Sequence, residues 1–143
     1  MLLGTYEHSV DDKNRVTLPA RFREAFSEGL FLTRGMDGCV SVFTPSAWEQ
    51  LVSIRLAELD PLSPNSRQMS RFYYAGAVDA DLDRQGRVVL PQRLIDHARL
   101  SRDVVIAGLR DHLEIWDRTA WQTQMEEVER NAERVAQRLA GEE

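Results

Sequence analysis

The residues best placed to do chemistry lie in two stretches that nearly copy one another. "DDKNRVTLPARF", residues 11 to 22, and "DRQGRVVLPQRL", residues 83 to 94, stand 72 positions apart. Each has an Asp, an Arg four residues on, and then Val-x-Leu-Pro-x-Arg. Asp11 with Arg15, and Asp83 with Arg87, can each form an ion pair across the neck of a turn. The intervening residues are Asp12-Lys13-Asn14 and Arg84-Gln85-Gly86. Asn14 and Gly86 are of the two types that most readily take positive φ, so the spacing predicts a three-residue hairpin loop closed by a left-handed residue. An Asp at the first position accepts hydrogen bonds from the turn amides. Lys13 with Arg15, and Arg84 with Arg87, then give each tip two cations. Such a tip suits phosphates and guanine edges in a DNA groove. The aspartates have two readings: they fasten the hairpin, or they touch the ligand themselves.

Other chemistry fits poorly. An adjacent Arg holds each Asp ionised, which disqualifies it as a general acid. His8, His97 and His112 show no metal-ligand spacing, and no phosphate loop, nucleophile elbow or dinucleotide fingerprint is present. The expectation is a protein that is not an enzyme, with no catalytic residues, no metal, no cofactor and no small-molecule substrate.

The elements that would position the tips also repeat. Gly4 aligns with Gly76, Val10 with Leu82, Leu18-Pro19 with Leu90-Pro91 and Arg21 with Arg93; after a one-residue shift Gly35 aligns with Gly108, and Ala47-Trp48 with Ala120-Trp121. In each copy a strand alternates (Tyr6, His8, Val10; Val78, Ala80, Leu82), the turn follows, and a second strand leaves it. Pro19 and Pro91 then stand where helices commonly start, before "ARFREAF" and "QRLIDHA". "LFLTRG" and "DVVIAG" read as buried strands stopped by glycine, and "CVSVF" and "HLEIW" alternate again. Thr44-Pro45 and Asp117 offer N-caps to helices carrying Trp48 and Trp121. The fold class is α+β, with tandem β-β-α-β-β-α units at 1–59 and 76–143 and a linker with a short helix, around "RQMSRFYYA", at 60–75. A unit of this size has little core of its own and must bury its sheet against a partner. The other copy serves, which makes the chain a covalent pseudo-dimer.

Composition bounds the rest. The chain has 143 residues, 43% hydrophobic and 29% charged, as expected of a soluble globular protein. No apolar run approaches the roughly 18 residues of a membrane span, and Glu7 interrupts any leader-like start, so a cytoplasmic location without membrane contact is expected. Cys39, the sole cysteine, excludes an internal disulfide and reads as a small buried hydrophobe. The net charge of −5 is unlike a generic nucleic-acid binder, yet residues 111 to 143 hold nine acidic and four basic residues, leaving residues 1 to 110 neutral. Seventeen of the eighteen basic residues are Arg; recognition of planar anions and a G+C-rich genome both account for that. Trp121, Met125, Val128, Ala132, Val135 and Leu139 form one seam of a long helix, packed within the chain or against a neighbouring subunit.

These residues resemble a known family. "GTYEHSVDDKNRVTLPARFR", "DLDRQGRVVLPQRL" and the preceding "FYYAGA" look like MraZ, bacterial transcriptional regulators with paired Asp-x-x-x-Arg motifs. The resemblance implies an AbrB-like swapped-hairpin pseudo-dimer barrel with a C-terminal helix. It also implies sequence-specific binding to double-stranded promoter DNA of the cell-division and cell-wall gene cluster, in the nucleoid, as a ring-like homo-oligomer engaging repeated boxes. Both motifs carry over intact, as Asp11 with Arg15 and Asp83 with Arg87. A single tip with two cations offers only salt-sensitive contact, and joining several tips raises affinity through effective concentration. The alternative is an AbrB-like antitoxin-type module whose hairpins bind DNA while an acidic tail occupies a toxin.

Overall fold

Short alternating strands need partners beyond their own hairpins, and here each repeat finds them in the other. The computed structural model describes residues 1–141. The first repeat contributes β1 (Leu2–Ser9), β2 (Arg15–Thr17), a 3-10 run (Ala20–Phe26), β3 (Leu30–Gly35), β4 (Cys39–Phe43) and a helical segment: α1 (Pro45–Ala47), a π-helical stretch (Trp48–Ser53) and α2 (Ile54–Ala57). After α3 (Pro64–Tyr74), the second contributes β5 (Val78–Ala80), β6 (Arg87–Val89), α4 (Gln92–Ala98), β7 (Asp103–Arg110), β8 (His112–Asp117) and α5 (Arg118–Leu139). The order β-β-α-β-β-α holds in both copies, except that the first copy's leading helix is 3-10. Thr44 and Asp117 cap as their types predict: Ala47 N donates to Thr44 Oγ1 at 3.1 Å and Ala120 N to Asp117 Oδ2 at 3.4 Å.

One sheet runs β1-β7-β8-β4-β3-β5, and β2 pairs with β6 alone. β1 of the first repeat lies on β7 of the second, and β5 of the second lies reciprocally on β3 of the first. β4 and β8 meet at the centre, so the sheet has a pseudo-two-fold between them. The exchange is close enough to require glycine at one point: a Cβ on Gly108 would stand 2.7 Å from backbone atoms of Leu2 and Leu3. The strands flanking the first turn make a single bridge, Val10 to Val16, instead of the ladder a simple hairpin predicts. Among the described residues the expected barrel is not closed. β5 is only three residues long, and the β2–β6 ribbon remains a separate sheet.

The core lies beneath that ribbon. Val16, Leu18, Phe22 and Phe26 from the first repeat and Val88, Leu90 and Leu94 from the second are all buried with the inner sheet residues in one cluster. A second cluster packs Trp48 and Val52 on Phe43, with Phe31 stacked on Trp48 at 5.0 Å. β4 is buried throughout, against the alternation of its sequence, because it is central in the sheet and the helical segment covers its outer face. Cys39 is buried there, and burial pushes its thiol pKa up. α5 departs from the body: Trp121 meets Trp116 edge-on at 5.6 Å, but Val128, Val135 and Leu139 are 45%, 44% and 84% exposed. Within one chain the outer part of its seam is uncovered.

If the ribbon is seated by this shared core, Leu90→Ala should lower unfolding free energy by about 2–5 kcal/mol, since Leu90 is fully buried. Urea titration would measure it. A loss under about 1 kcal/mol would mean that the ribbon is not seated on the core as described.

Candidate functional site

Both turns close in the same way. Asp11 N donates to Arg15 O at 2.9 Å and Asn14 N to Asp11 O at 3.0 Å; Asp83 N donates to Arg87 O and Gly86 N to Asp83 O, both at 2.9 Å. The reversal needs a left-handed last residue, and Asn14 and Gly86 stand at φ 60° and 75°. Asp11 Oδ1 accepts from the amides of Lys13 and Arg15, each at 2.9 Å, and Asp11 Oδ2 accepts from Arg15 Nε at 2.8 Å. In the second turn Asp83 Oδ1 accepts from Gln85 and Arg87 amides at 2.9 Å, and Oδ2 from Arg87 Nε at 2.7 Å. The hydrogen bond from the Arg15 amide, then the guanidinium and the Lys13 amide, hold the Asp11 carboxyl below its ordinary pKa against the opposing effect of burial. The Arg87 amide leads the same effect at Asp83.

The ribbon fixes the two turns relative to each other. Arg15 lies opposite Val89, Val16 opposite Val88 and Thr17 opposite Arg87. Leu18 N donates to Gly86 O at 2.9 Å and Leu90 N to Asn14 O at 2.7 Å, so each turn is fastened to the strand leaving the other. Val16 and Val88 point into the core, so Arg15, Thr17, Arg87 and Val89 share the outward face. Strand spacings put the Arg15 and Arg87 Cα atoms about 8 Å apart on its diagonal. Each guanidinium is tied at Nε and has no partner for its Nη groups among the described residues. The side chains are 26% and 27% exposed, so both reach the surface. Lys13 and Arg84 are exposed at the tips without ion pairs among the described residues.

Three residues that motif spacing did not single out belong to this region. Thr17 and Val89 occupy equivalent positions between the two arginines, and Val89 is 57% exposed. Strand alternation outward from Val16 would have found them. Arg23 lies against the second turn, with Nε donating to Leu18 O at 3.0 Å; its counterpart is Ile95, so the repeat concealed it.

The histidines lie apart from one another. Burial, and then the charge of Arg23, lower the His8 pKa. His97 Nε2 is 3.0 Å from Gly35 O, and His112 stacks on Phe43 at 5.0 Å. Among the described residues no group of three or more His, Cys, Asp or Glu is placed to hold a metal, and no helix is long and apolar enough to cross a membrane. A concavity of about 540 Å³ lies between α2 and α3, lined by Leu56, Arg67, Ser70, Arg71 and Tyr74, with no carboxylate or imidazole.

Comparison with known proteins adds an independent line. The model of the MraZ protein family, whose description likens it to antitoxins, matches residues 1–72 and again 73–142. A transcriptional regulator MraZ from Roseiflexus castenholzii is 46% identical over 98% of this chain and 97% of its own length. The protein of that name from Roseiflexus sp. (strain RS-1) is 45% identical with the same coverage. That from Pediococcus pentosaceus is 38% identical over 97% of this chain and 96% of its own length.

The depressed carboxyl pKa values give the turns a pH signature. A group titrating lower when folded contributes fully above its unfolded pKa and loses that contribution as pH falls through the folded value. Asp11→Asn and Asp83→Asn should each lower the melting temperature at neutral pH and flatten its decline in acid. Melting curves from neutral pH to below the carboxylate range would check this. An acid profile unchanged in the double variant would place the titrating groups elsewhere.

Proposed function

The chain belongs to the MraZ family, and on that footing we propose that it is a sequence-specific DNA-binding transcriptional regulator which sets one arginine-bearing β-ribbon into a DNA groove. The observation that carries this reading is the shared outward face of β2 and β6, with Arg15 and Arg87 on its diagonal. The major groove admits a two-stranded ribbon. Aspartate at Nε fixes the guanidinium plane and leaves two Nη groups for two acceptors, the pattern that guanine O6 and N7 present. Thr17 and Val89, between the arginines, suit thymine methyl groups. Lys13 and Arg84, at the tips, suit phosphates. The turn aspartates, with Asn14 and Gly86, hold the frame.

The resemblance supports promoter DNA of the cell-division and cell-wall gene cluster as the target, and a nucleoid location. The uncovered seam of α5 supports self-association, and a closed homo-oligomer would set several ribbons against repeated boxes. A second reading, an antitoxin-type module, is favoured by the family description; against it, residues 118 to 139 form a continuous helix rather than an extended acidic tail.

Arg15→Lys or Arg87→Lys should cost about 1–3 kcal/mol per engaged contact and relax preference at one base position, although charge is kept. Lys13→Ala should weaken specific and unrelated DNA about equally and reduce the salt slope by about one unit per contact. Titrations against single-box and multi-box duplexes would measure both. Unchanged operator preference in both arginine variants, with binding abolished by Lys13→Ala, would overturn the roles. Sedimentation should find an assembly larger than a dimer; a monomer at tens of micromolar would remove the avidity argument.

A further inference from the structure

The two tips are not equivalent, and the difference begins at the residue closing each turn. Gly86 has no side chain, and Arg23 occupies the vacated space: a Cβ on Gly86 would stand 2.6 Å from both Cδ and Cζ of Arg23. The Nε hydrogen bond to Leu18 O holds the guanidinium over the turn, and its Nη groups have no partner among the described residues. Beside it opens a cleft of about 360 Å³, lined by Arg23, Ser27, Asp81, Asp83, Arg84 and Gly86. In the first turn Asn14 fills the equivalent place. Its Nδ2 donates to Gln92 Oε1 at 3.2 Å, Gln92 Nε2 donates to Asp96 Oδ1 at 2.9 Å, and Ile95 stands where the first repeat has Arg23.

Charge follows the same division. At the first tip Asp11 and Asp12 balance Lys13 and Arg15, and Asp96 lies behind. At the second, Arg23, Arg84 and Arg87 face Asp81 and Asp83, leaving one positive charge in excess. We propose that Arg23, held against Gly86, forms with Arg84 a seat for a DNA phosphate at the second tip which the first tip lacks. The seat anchors the backbone beside Arg87, so each chain lies on the duplex with its second repeat as the stronger electrostatic contact. This inference rests on the DNA-binding reading above.

Gly86→Asn offers a test that spares the turn. Asn tolerates left-handed φ, as Asn14 does in the first turn, and its side chain displaces Arg23. Arg23→Ala, Gly86→Asn and the double variant would be titrated with a labelled duplex carrying a promoter of the cell-division and cell-wall gene cluster and with a scrambled duplex, across a salt series, alongside melting curves. Each single variant should weaken both duplexes alike and reduce the slope of log affinity against log salt by about 0.9 per lost contact. The double variant should lose no more than either single one, because both remove the same group. A slope unchanged in Arg23→Ala, at any melting temperature, overturns the seat, as does additive loss in the double variant. Wild-type protein without salt-dependent DNA binding would defeat the DNA-binding reading itself, before any variant is compared.

Discussion

Neither repeat can pair all of its own strands: β3 with β4, and β7 with β8, pair within a repeat, but the other strands look across to the opposite one. β2 and β6 are three residues each and, among the described residues, find their only ladder in one another, while β1 and β5 lie on strands of the opposite repeat. Unpaired amides and carbonyls beneath a surface are costly, so this exchange is a condition for either unit to fold in this form. It also explains the duplication. Once Leu18 N is committed to Gly86 O and Leu90 N to Asn14 O, the two turns cannot shift independently, and the spacing of Arg15 and Arg87 becomes a property of the sheet.

Much of the frame was legible because local chemistry determines it. Asp followed four residues later by Arg, with a residue that tolerates positive φ just before the Arg, favours a closed turn, and both turns form with matching hydrogen bonds. Thr44 and Asp117 cap helices for equally local reasons. The partner of each strand was not legible, since Val-x-Val patterns fit any apolar neighbour; only the resemblance to a family suggested a swapped arrangement. The full burial of β4 was likewise hidden, because alternation reports two environments only when one face meets water. Arg23 was missed for a different reason. Aligning the repeats draws attention to what they share, and Arg23 matters through what they do not.

The fastening of each arginine has a consequence for recognition. A free guanidinium loses rotamer entropy when it meets a base, whereas one already tied at Nε has lost part of that freedom on folding. In the proposed interface the aspartates would act by holding the arginines in place, so their effect on binding would pass through geometry. The neutrality of residues 1 to 110 fits such a surface: affinity from a few fixed contacts, multiplied over several ribbons, needs no broad basic field. The helix that would multiply them, α5, carries most of its acidic residues on faces away from its seam, leaving the seam free for a like surface.

The central claim is that β2 and β6 act as one DNA-reading face. Hydrogen exchange of the intact protein, with and without a duplex carrying a promoter of the cell-division and cell-wall gene cluster, tests it most directly. The account predicts new protection in residues 11–17 and 83–89 together, in equal stoichiometry, with the inner strands β4 and β8 unchanged. Protection confined to one of the two turns, or to α5 with both turns unaffected, would contradict it.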